Sequence, residues 1–181
     1  MVKIDIVKTI EIPEGVVVDV SGDSVKVKKD DKNLERKFSF GKLKIEKQDN
    51  QLKVSCKKGG KREKKLAGTI VAHIQNMIKG VCEDFVYKLE ICNVHFPMNV
   101  KVEGDGIVIK SFLGESIDRY SKILPEVKVD VKGNEITVSS SNREAAGQTA
   151  ANIEKATRLT GRDRRIFQDG IFITEKPGRD L

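Results

Sequence analysis

The chain repeats itself. The segment VDVSGDSVKVK at residues 18–28 returns as VKVEGDGIVIK at residues 100–110. Val18, Val20, Gly22, Asp23, Val25 and Val27 fall on Val100, Val102, Gly104, Asp105, Ile107 and Ile109, a constant offset of 82 residues. Leu43, Ile45, Asn50, Leu52 and Val54 then meet Val127, Val129, Asn134, Ile136 and Val138 at an offset of 84, and Gly68, Ala72 and Ile74 meet Gly147, Ala151 and Ile153 at 79. Three blocks in the same order with small drifts in offset indicate a tandem duplication with loop insertions. The 181 residues therefore make two units of about 80 residues, each large enough for one small core. The expected domains are residues 1–83 and 84–181.

Both copies follow one grammar. A turn signal at Ile12-Pro13-Glu14-Gly15 opens the first, and alternation predicts strands over 16–20 and 24–28 around Ser21-Gly22-Asp23. A second hairpin is expected from Lys42–Glu46 and Gln51–Cys56 around Asp49-Asn50, followed by a basic, glycine-bearing loop from Lys57 to Arg62. Leu66, Ile70, Ile74, Met77 and Ile78 recur at helical spacing, so Glu63–Lys79 reads as an amphipathic helix stopped by Gly80. Gly80 to Tyr87 reads as a strand-like connector. In the second copy, strands are expected over 98–103, 106–111, 126–131 and 134–139. Ser141, three residues before Glu144, has the spacing of a capping box. The helix it opens runs through Ala146, Ala150, Ile153 and Thr157, with Gly161 as its C-terminal cap. Its many alanines and glycines let it lie close against a sheet. The fold class is α+β: two similar domains, each an antiparallel β-sheet packed by one α-helix.

Charged residues are 34% of the chain and aromatics 5%, so the cores must be aliphatic. The net charge of +7 suits a polyanionic partner. That charge is uneven: residues 1–80 hold 19 Lys and Arg against 11 Asp and Glu, leaving 15 against 16 for the remainder. Cys56, Cys82 and Cys92 show no disulfide or CxxC spacing and read as small hydrophobes in a reducing compartment. Cys92 and His95 form a C-x-x-H without a second ligand pair, so no metal and no cofactor are expected. The chain carries no apolar run of membrane-spanning length and no signal-peptide core, which points to a soluble, intracellular protein.

Enzyme signatures are missing. Gly59-Gly60-Lys61 lacks the upstream glycine and the following Ser or Thr of a phosphate loop. His73 and His95 have no nucleophile context, and Asp30-Asp31 and Glu83-Asp84 read as solvated pairs in turns and linkers. Two basic segments remain. Lys57, Lys58, Lys61, Arg62, Lys64 and Lys65 form one, at a helix start whose dipole disfavours cations. The second is the tail after the second helix, where Arg158, Arg162, Arg164, Arg165 and Arg179 stand with a single lysine, Lys176. Guanidinium forks hold phosphate oxygens bidentately and stack on bases. Phe167, Gln168, Asp169 and Gly170 interleave a ring, hydrogen-bonding groups and a turn among those cations. The first copy has nothing comparable. So few aromatics argue against base-by-base stacking on a single strand and fit the reading of folded RNA by shape and backbone.

The chain resembles the large-subunit ribosomal protein six family, in its archaeal and eukaryotic branch. The resemblance rests on Ile12-Pro13-Glu14-Gly15-Val16, on Asn76-Met77-Ile78-Lys79-Gly80-Val81 with Phe85 and Tyr87-Lys88-Leu89, and on His95-Phe96-Pro97. It continues through Phe112-Leu113-Gly114-Glu115, Gln148-Thr149-Ala150-Ala151-Asn152-Ile153-Glu154, and Arg162-Asp163-Arg164-Arg165 with Phe167-Gln168-Asp169-Gly170-Ile171. It departs at Lys28–Lys32, where family members often carry a Gly-Pro-x-Gly turn, and at Asp84, where they often carry glycine. The resemblance implies a non-catalytic, cytoplasmic, ribosome-bound protein that holds large-subunit rRNA (23S-type) mainly through its C-terminal domain. It further implies a place near the stalk base, beside neighbouring ribosomal proteins and the region where translation factors dock. The alternative is an RNA-binding or adaptor module outside the ribosome.

Overall fold

Among the described residues, alternating aliphatic residues build the first unit from six strands and a helix: β1 (Ile4–Glu11), β2 (Val17–Ser21), β3 (Ser24–Lys29), β4 (Lys32–Lys37), β5 (Lys44–Gln48), β6 (Gln51–Gly59) and α1 (Lys61–Cys82). The computed structural model describes residues 4–30, 32–48 and 51–180. Asp31, Asp49 and Asn50, placed in turns by the sequence, lie outside the described residues. The chain divides into two compact units, Met1–Glu83 and Asp84–Leu181.

In the first unit the strands form two antiparallel sheets, ordered β1-β6-β5 and β2-β3-β4. The helix lies against strands of both. Its buried stripe of Ala67, Ile70, Val71, Ile74, Ile78 and Val81 meets Val18, Val25, Val27, Leu52 and Val54 from the sheets. Fully burying one such aliphatic side chain contributes about 1.5–3 kcal/mol, and this stripe is what makes the helix stable in place.

The second unit repeats the plan: β7 (Phe85–Cys92), β8 (Asn99–Glu103), β9 (Gly106–Lys110), β10 (Arg119–Lys122), β11 (Lys128–Lys132), β12 (Glu135–Ser140) and α2 (Arg143–Ala156). Its sheets run β10-β9-β8 and β11-β12-β7, mirroring the first unit strand for strand. Equivalence reaches the register: Ile10 pairs with Leu52, and Leu89 pairs with Ile136, the repeat partner of Leu52. Two strands are new. β13 (Gly170–Lys176) pairs antiparallel with β7, and β14 (Arg179–Asp180) pairs with β13. Gly22 and Gly104, at φ +56° and +60°, occupy the same hairpin turn in both copies, as the alternation predicts.

Several boundaries differ from the sequence expectation. The first unit begins before Ile12, because β1 pairs along β6. Its duplicate, β7, was visible only as a strand-like connector. Lys57 and Lys58 are not in a loop but on the end of β6, and α1 starts at Lys61. The early start follows from Glu63, whose Oε2 accepts the Gly60 N–H at 2.8 Å. Gly80 does not stop α1. It is buried inside the helix, and burial of Val81 one residue on carries the helix to Cys82. The cap of α2 is Asn142 rather than Ser141: its Oδ1 accepts the N–H groups of Glu144 and Ala145 at 3.0 and 3.4 Å. The helix ends at Ala156 with Thr157 as its cap, so Gly161 sits beyond it, in a bend at φ +73°.

Candidate nucleic-acid interface

The arginine-rich tail is a loop held at both ends by polar contacts, partly buried at each end. At its start, Arg119 of β10 reaches under the end of α2. Its Nη1 donates to the carbonyl oxygens of Ala156 at 2.8 Å and Arg158 at 3.3 Å. The same guanidinium forks onto Glu115 at 2.7 and 2.8 Å and lies 4.3 Å from the centre of the Phe112 ring. Carbonyls at a helix end lack intrahelical partners, and a cation there satisfies them while complementing the helix dipole. The hydrogen bonds from Arg119 hold the Glu115 carboxyl below the usual range.

The far end of the loop is fixed by Asp169. This carboxylate is 2% exposed. It accepts the backbone N–H of His95 at 2.9 Å on Oδ1, and Nδ1 of the same residue sits 2.5 Å from Oδ2. Burial pushes the Asp169 carboxyl up, but the bonds from His95 prevail and leave it below the ordinary aspartate range. The imidazole stands 5.1 Å from the Phe167 ring, and Arg162 lies over that ring at 5.0 Å. Gly170 is buried, and a Cβ there would stand 3.1 Å from the Phe172 ring and 3.5 Å from Thr157 Oγ1. Asp169 and Gly170, expected among the RNA-contacting residues, therefore shape the loop from inside it.

Between the two ends, Asp163 folds the loop into a turn. Its carbonyl accepts the N–H groups of Ile166 and Phe167, while its carboxylate accepts from Arg165 Nε at 3.1 Å and Nη2 at 2.8 Å. The Arg165 fork lowers the Asp163 carboxyl below its ordinary value. The charge of Arg165 is thus balanced locally. Arg158, Arg162 and Arg164 are exposed, and their guanidinium groups make no hydrogen bond or ion pair among the described residues. Gln168, Lys176 and Arg179 are also exposed. Arg158, Arg164, Lys155, Phe167, Gln168 and Phe172 border a cleft of about 630 Å³. The loop presents unpaired cations, a half-buried ring and an amide around one concavity.

The first-unit patch is arranged differently. All six of Lys57, Lys58, Lys61, Arg62, Lys64 and Lys65 are exposed, spread over the end of β6 and the first turns of α1. Lys58 adopts φ +53°, and its N–H donates to Asp5 at 2.8 Å. Glu63 supplies the one carboxylate in the first turn, held low by the backbone N–H groups it accepts at residues 63 and 60.

The remaining candidates have structural partners. Nδ1 of His73 lies 3.1 Å from Arg36 Nη1, and its ring is beside Phe38. Burial raises the Cys92 thiol, and His95 is turned toward Asp169; no group of three metal-ligating residues occurs among the described residues. No helix among the described residues is long and apolar enough to cross a membrane. Sequence reasoning missed Arg119 and His95 as loop supports. Arg119 has no motif of its own. The only trace of either was the His95-Phe96-Pro97 block and the neighbouring Glu115, both part of the family resemblance.

The family model described as "Ribosomal protein L6" matches residues 12–84 and 96–170, one match for each copy. The large ribosomal subunit protein uL6 of Methanosarcina mazei is 49% identical over 176 residues, covering 97% of this chain and 99% of its own length. Its namesake from Methanococcus vannielii is 48% identical over 172 residues, covering 95% and 94%. With both copies of the duplication matched and nearly the whole length aligned, the chain belongs to the ribosomal protein L6 family.

Proposed function

We propose that this protein is a structural constituent of the large ribosomal subunit and binds large-subunit rRNA mainly through the loop and strands that follow α2. The observation that carries this reading is the contrast within the loop. Its backbone is pinned by Arg119, Asp163 and Asp169, while the guanidinium groups of Arg158, Arg162 and Arg164 make no hydrogen bond or ion pair among the described residues. Phosphates are the groups that satisfy an exposed guanidinium fork bidentately. A pinned loop presents its cations with little ordering cost on binding. Lys176 and Arg179 extend the cationic surface along β13 and β14.

The two relatives are named as large-subunit proteins, which supports the same assembly for this chain. A position near the stalk base, beside the region where translation factors dock, is the finer part of the proposal and follows from the family resemblance. Protein–RNA crosslinking on intact large subunits tests it. Crosslinks from the 158–168 loop to rRNA are expected, and crosslinks confined to the first unit would defeat the reading. Contacts from five cations predict a log–log salt slope of about −4 to −5 for an rRNA fragment of duplex character. A flat dependence would defeat the phosphate mechanism. Retention on large subunits through a high-salt wash separates this role from an RNA-binding or adaptor role outside the ribosome.

A further inference from the structure

The duplication sets up a comparison at one sheet edge. In the second unit β13 lies along β7, with Gly170, Phe172 and Ile173 opposite Cys92, Glu90 and Leu89. A side chain of α2 and the cap residue after it take up the N–H groups that β13 turns outward: Glu154 Oε1 accepts from Ile173 at 3.3 Å, and Thr157 Oγ1 from Ile171 at 2.9 Å. The first unit has the same edge on β1, the end strand of its sheet, with no further strand on it among the described residues. In its place is a groove of about 460 Å³ bordered by Thr9, Ile10 and Glu11 of β1 and by Gln75, Ile78 and Lys79 of α1.

These positions are the repeat equivalents of the ones β13 uses. Ile10 stands for Leu89 by register, so Thr9 and Glu11 stand for Lys88 and Glu90. Ile74 stands for Ile153, so Gln75, Ile78 and Lys79 stand for Glu154, Thr157 and Arg158. The hydrogen-bonding parity carries over too. Ile91 gives its N–H to Asn134 on the β12 side, so Glu90 directs its own toward β13. By the same parity Glu11 and Thr9 direct their N–H and C=O groups off the open edge of β1. Gln75 keeps an acceptor oxygen where Glu154 has one.

We propose that this groove is a docking site for one extended segment of another polypeptide, added antiparallel to β1 opposite Thr9–Ile12. An exposed strand edge beside an apolar floor is the geometry of strand addition, in which main-chain bonds give affinity and alternate side chains give selectivity. The segment is aliphatic at the positions facing Ile10 and Ile78, which are both largely buried and form the floor. Its residue opposite Ile10 donates its N–H to the Gln75 side chain, as Ile173 does to Glu154. Glu11 and Lys79 balance each other on the groove rim, while residues 1–83 as a whole hold 19 Lys and Arg against 12 Asp and Glu, and that surplus favours a segment of net acidic character. Pro13 stands where Cys92 pairs with Gly170 and offers no N–H, which ends the pairing there.

This chain does not supply the strand in the way the second unit does. There, the residues from Thr157 to Asp169 separate α2 from β13, whereas α1 ends at Cys82 and β7 begins at Phe85. A second copy is disfavoured as well: its β13 is committed to its own β7, and pairing β1 with β1 would bring together two units of like charge.

The test uses the full chain and a synthetic peptide, DGIFITEKP, that reproduces residues 169–177. Saturable shifts are expected in NMR spectra at the amides of Thr9 and Glu11 and at the side-chain amide of Gln75. A peptide with Asp in place of both isoleucines is expected to cause none. Thr9→Pro removes an edge-facing donor, and Gln75→Ala removes the acceptor; each is expected to weaken binding about five- to tenfold. Should Thr9→Pro lose its fold, the exposed Gln75→Ala still decides the matter. The proposal is overturned by the absence of saturable shifts, by shifts confined to residues 84–181, or by equal affinity of wild type and Gln75→Ala. An RNA oligomer that shifts the same amides when the peptide does not would overturn it too.

Discussion

Asp169 holds His95 by two bonds, one to the backbone N–H at 2.9 Å and one to Nδ1 at 2.5 Å, across 74 residues of chain. The pair ties the segment after β7 to the segment before β13 and sets the Phe167 ring under Arg162. Asp169→Ala leaves a donor unpaired beside a buried site and is expected to destabilise the protein by about 1–3 kcal/mol in denaturant unfolding.

The same carboxylate gives a pH dependence. Its folded pKa lies below the ordinary aspartate value of about 3.9, so its contribution is fully present above that pH and is lost as the pH falls through the depressed folded value. Wild type should therefore lose more stability than Asp169→Asn between pH about 5 and pH about 2. Parallel acid-unfolding curves for the two proteins would refute this.

Equivalent glycines in the two helices should respond with opposite sign. A Cβ at Gly147 would stand 2.9 Å from the hydroxyl oxygen and 3.3 Å from Cζ of the buried Tyr87, whereas one at Gly68 would meet only Lys8 Nζ at 3.5 Å. Alanine is favoured over glycine in a helix interior by about 1 kcal/mol. Gly68→Ala is expected to raise Tm, while Gly147→Ala is expected to lower it, because overpacking costs about 1–3 kcal/mol. Thermal unfolding of the two variants checks the pair.

Neighbouring arginines should differ in the same way. Arg165 is forked onto Asp163, while Arg164 has no such partner among the described residues. Arg164→Ala is expected to weaken binding of an rRNA fragment about three- to tenfold and to reduce the salt slope by about one. Arg165→Ala also frees an aspartate, but it removes a cation that was already balanced, so its salt slope should change less. Identical slopes for the two variants would contradict the assignment.

The two basic patches allow a third comparison. Replacing Arg164 and Arg165 by Ala together is expected to weaken rRNA binding more than replacing Lys57 and Lys58. Both pairs are exposed, but the arginines sit on the pinned loop, where Arg164 borders the cleft. Equal losses in a filter-binding titration would show that the first unit shares the work.

Much of the fold was legible because alternation is a local property. Val18, Val25, Val27 and their counterparts Val100, Ile107 and Ile109 are buried, as their period-two spacing requires. β1 escaped notice because it precedes the matching blocks and pairs with a strand more than 40 residues away. Gly80 and Ser141 misled for a similar reason: a stop or cap signal is only a local preference, and burial of Val81 or the reach of Asn142 overrode it. Of the candidate site, the cations could be read directly. That Arg165 is balanced, that Asp169 is buried, and that Arg119 supports the loop depend on contacts no spacing rule encodes.

Two copies, the residues of their cores and an arginine-rich tail on the second copy alone can all be read from the order of the amino acids. Each of these rests on composition or short-range periodicity. Tertiary structure decided which tail cations remain available, because pairing by Asp163 and pinning by Arg119 and His95 depend on where distant segments meet. It also decided that β13 covers the edge of β7 while, among the described residues, no strand covers the matching edge of β1. The physical reason is the same for both: a repeat copies local preferences, but side-chain contacts and strand pairing are settled only once the folded chain brings its remote parts together.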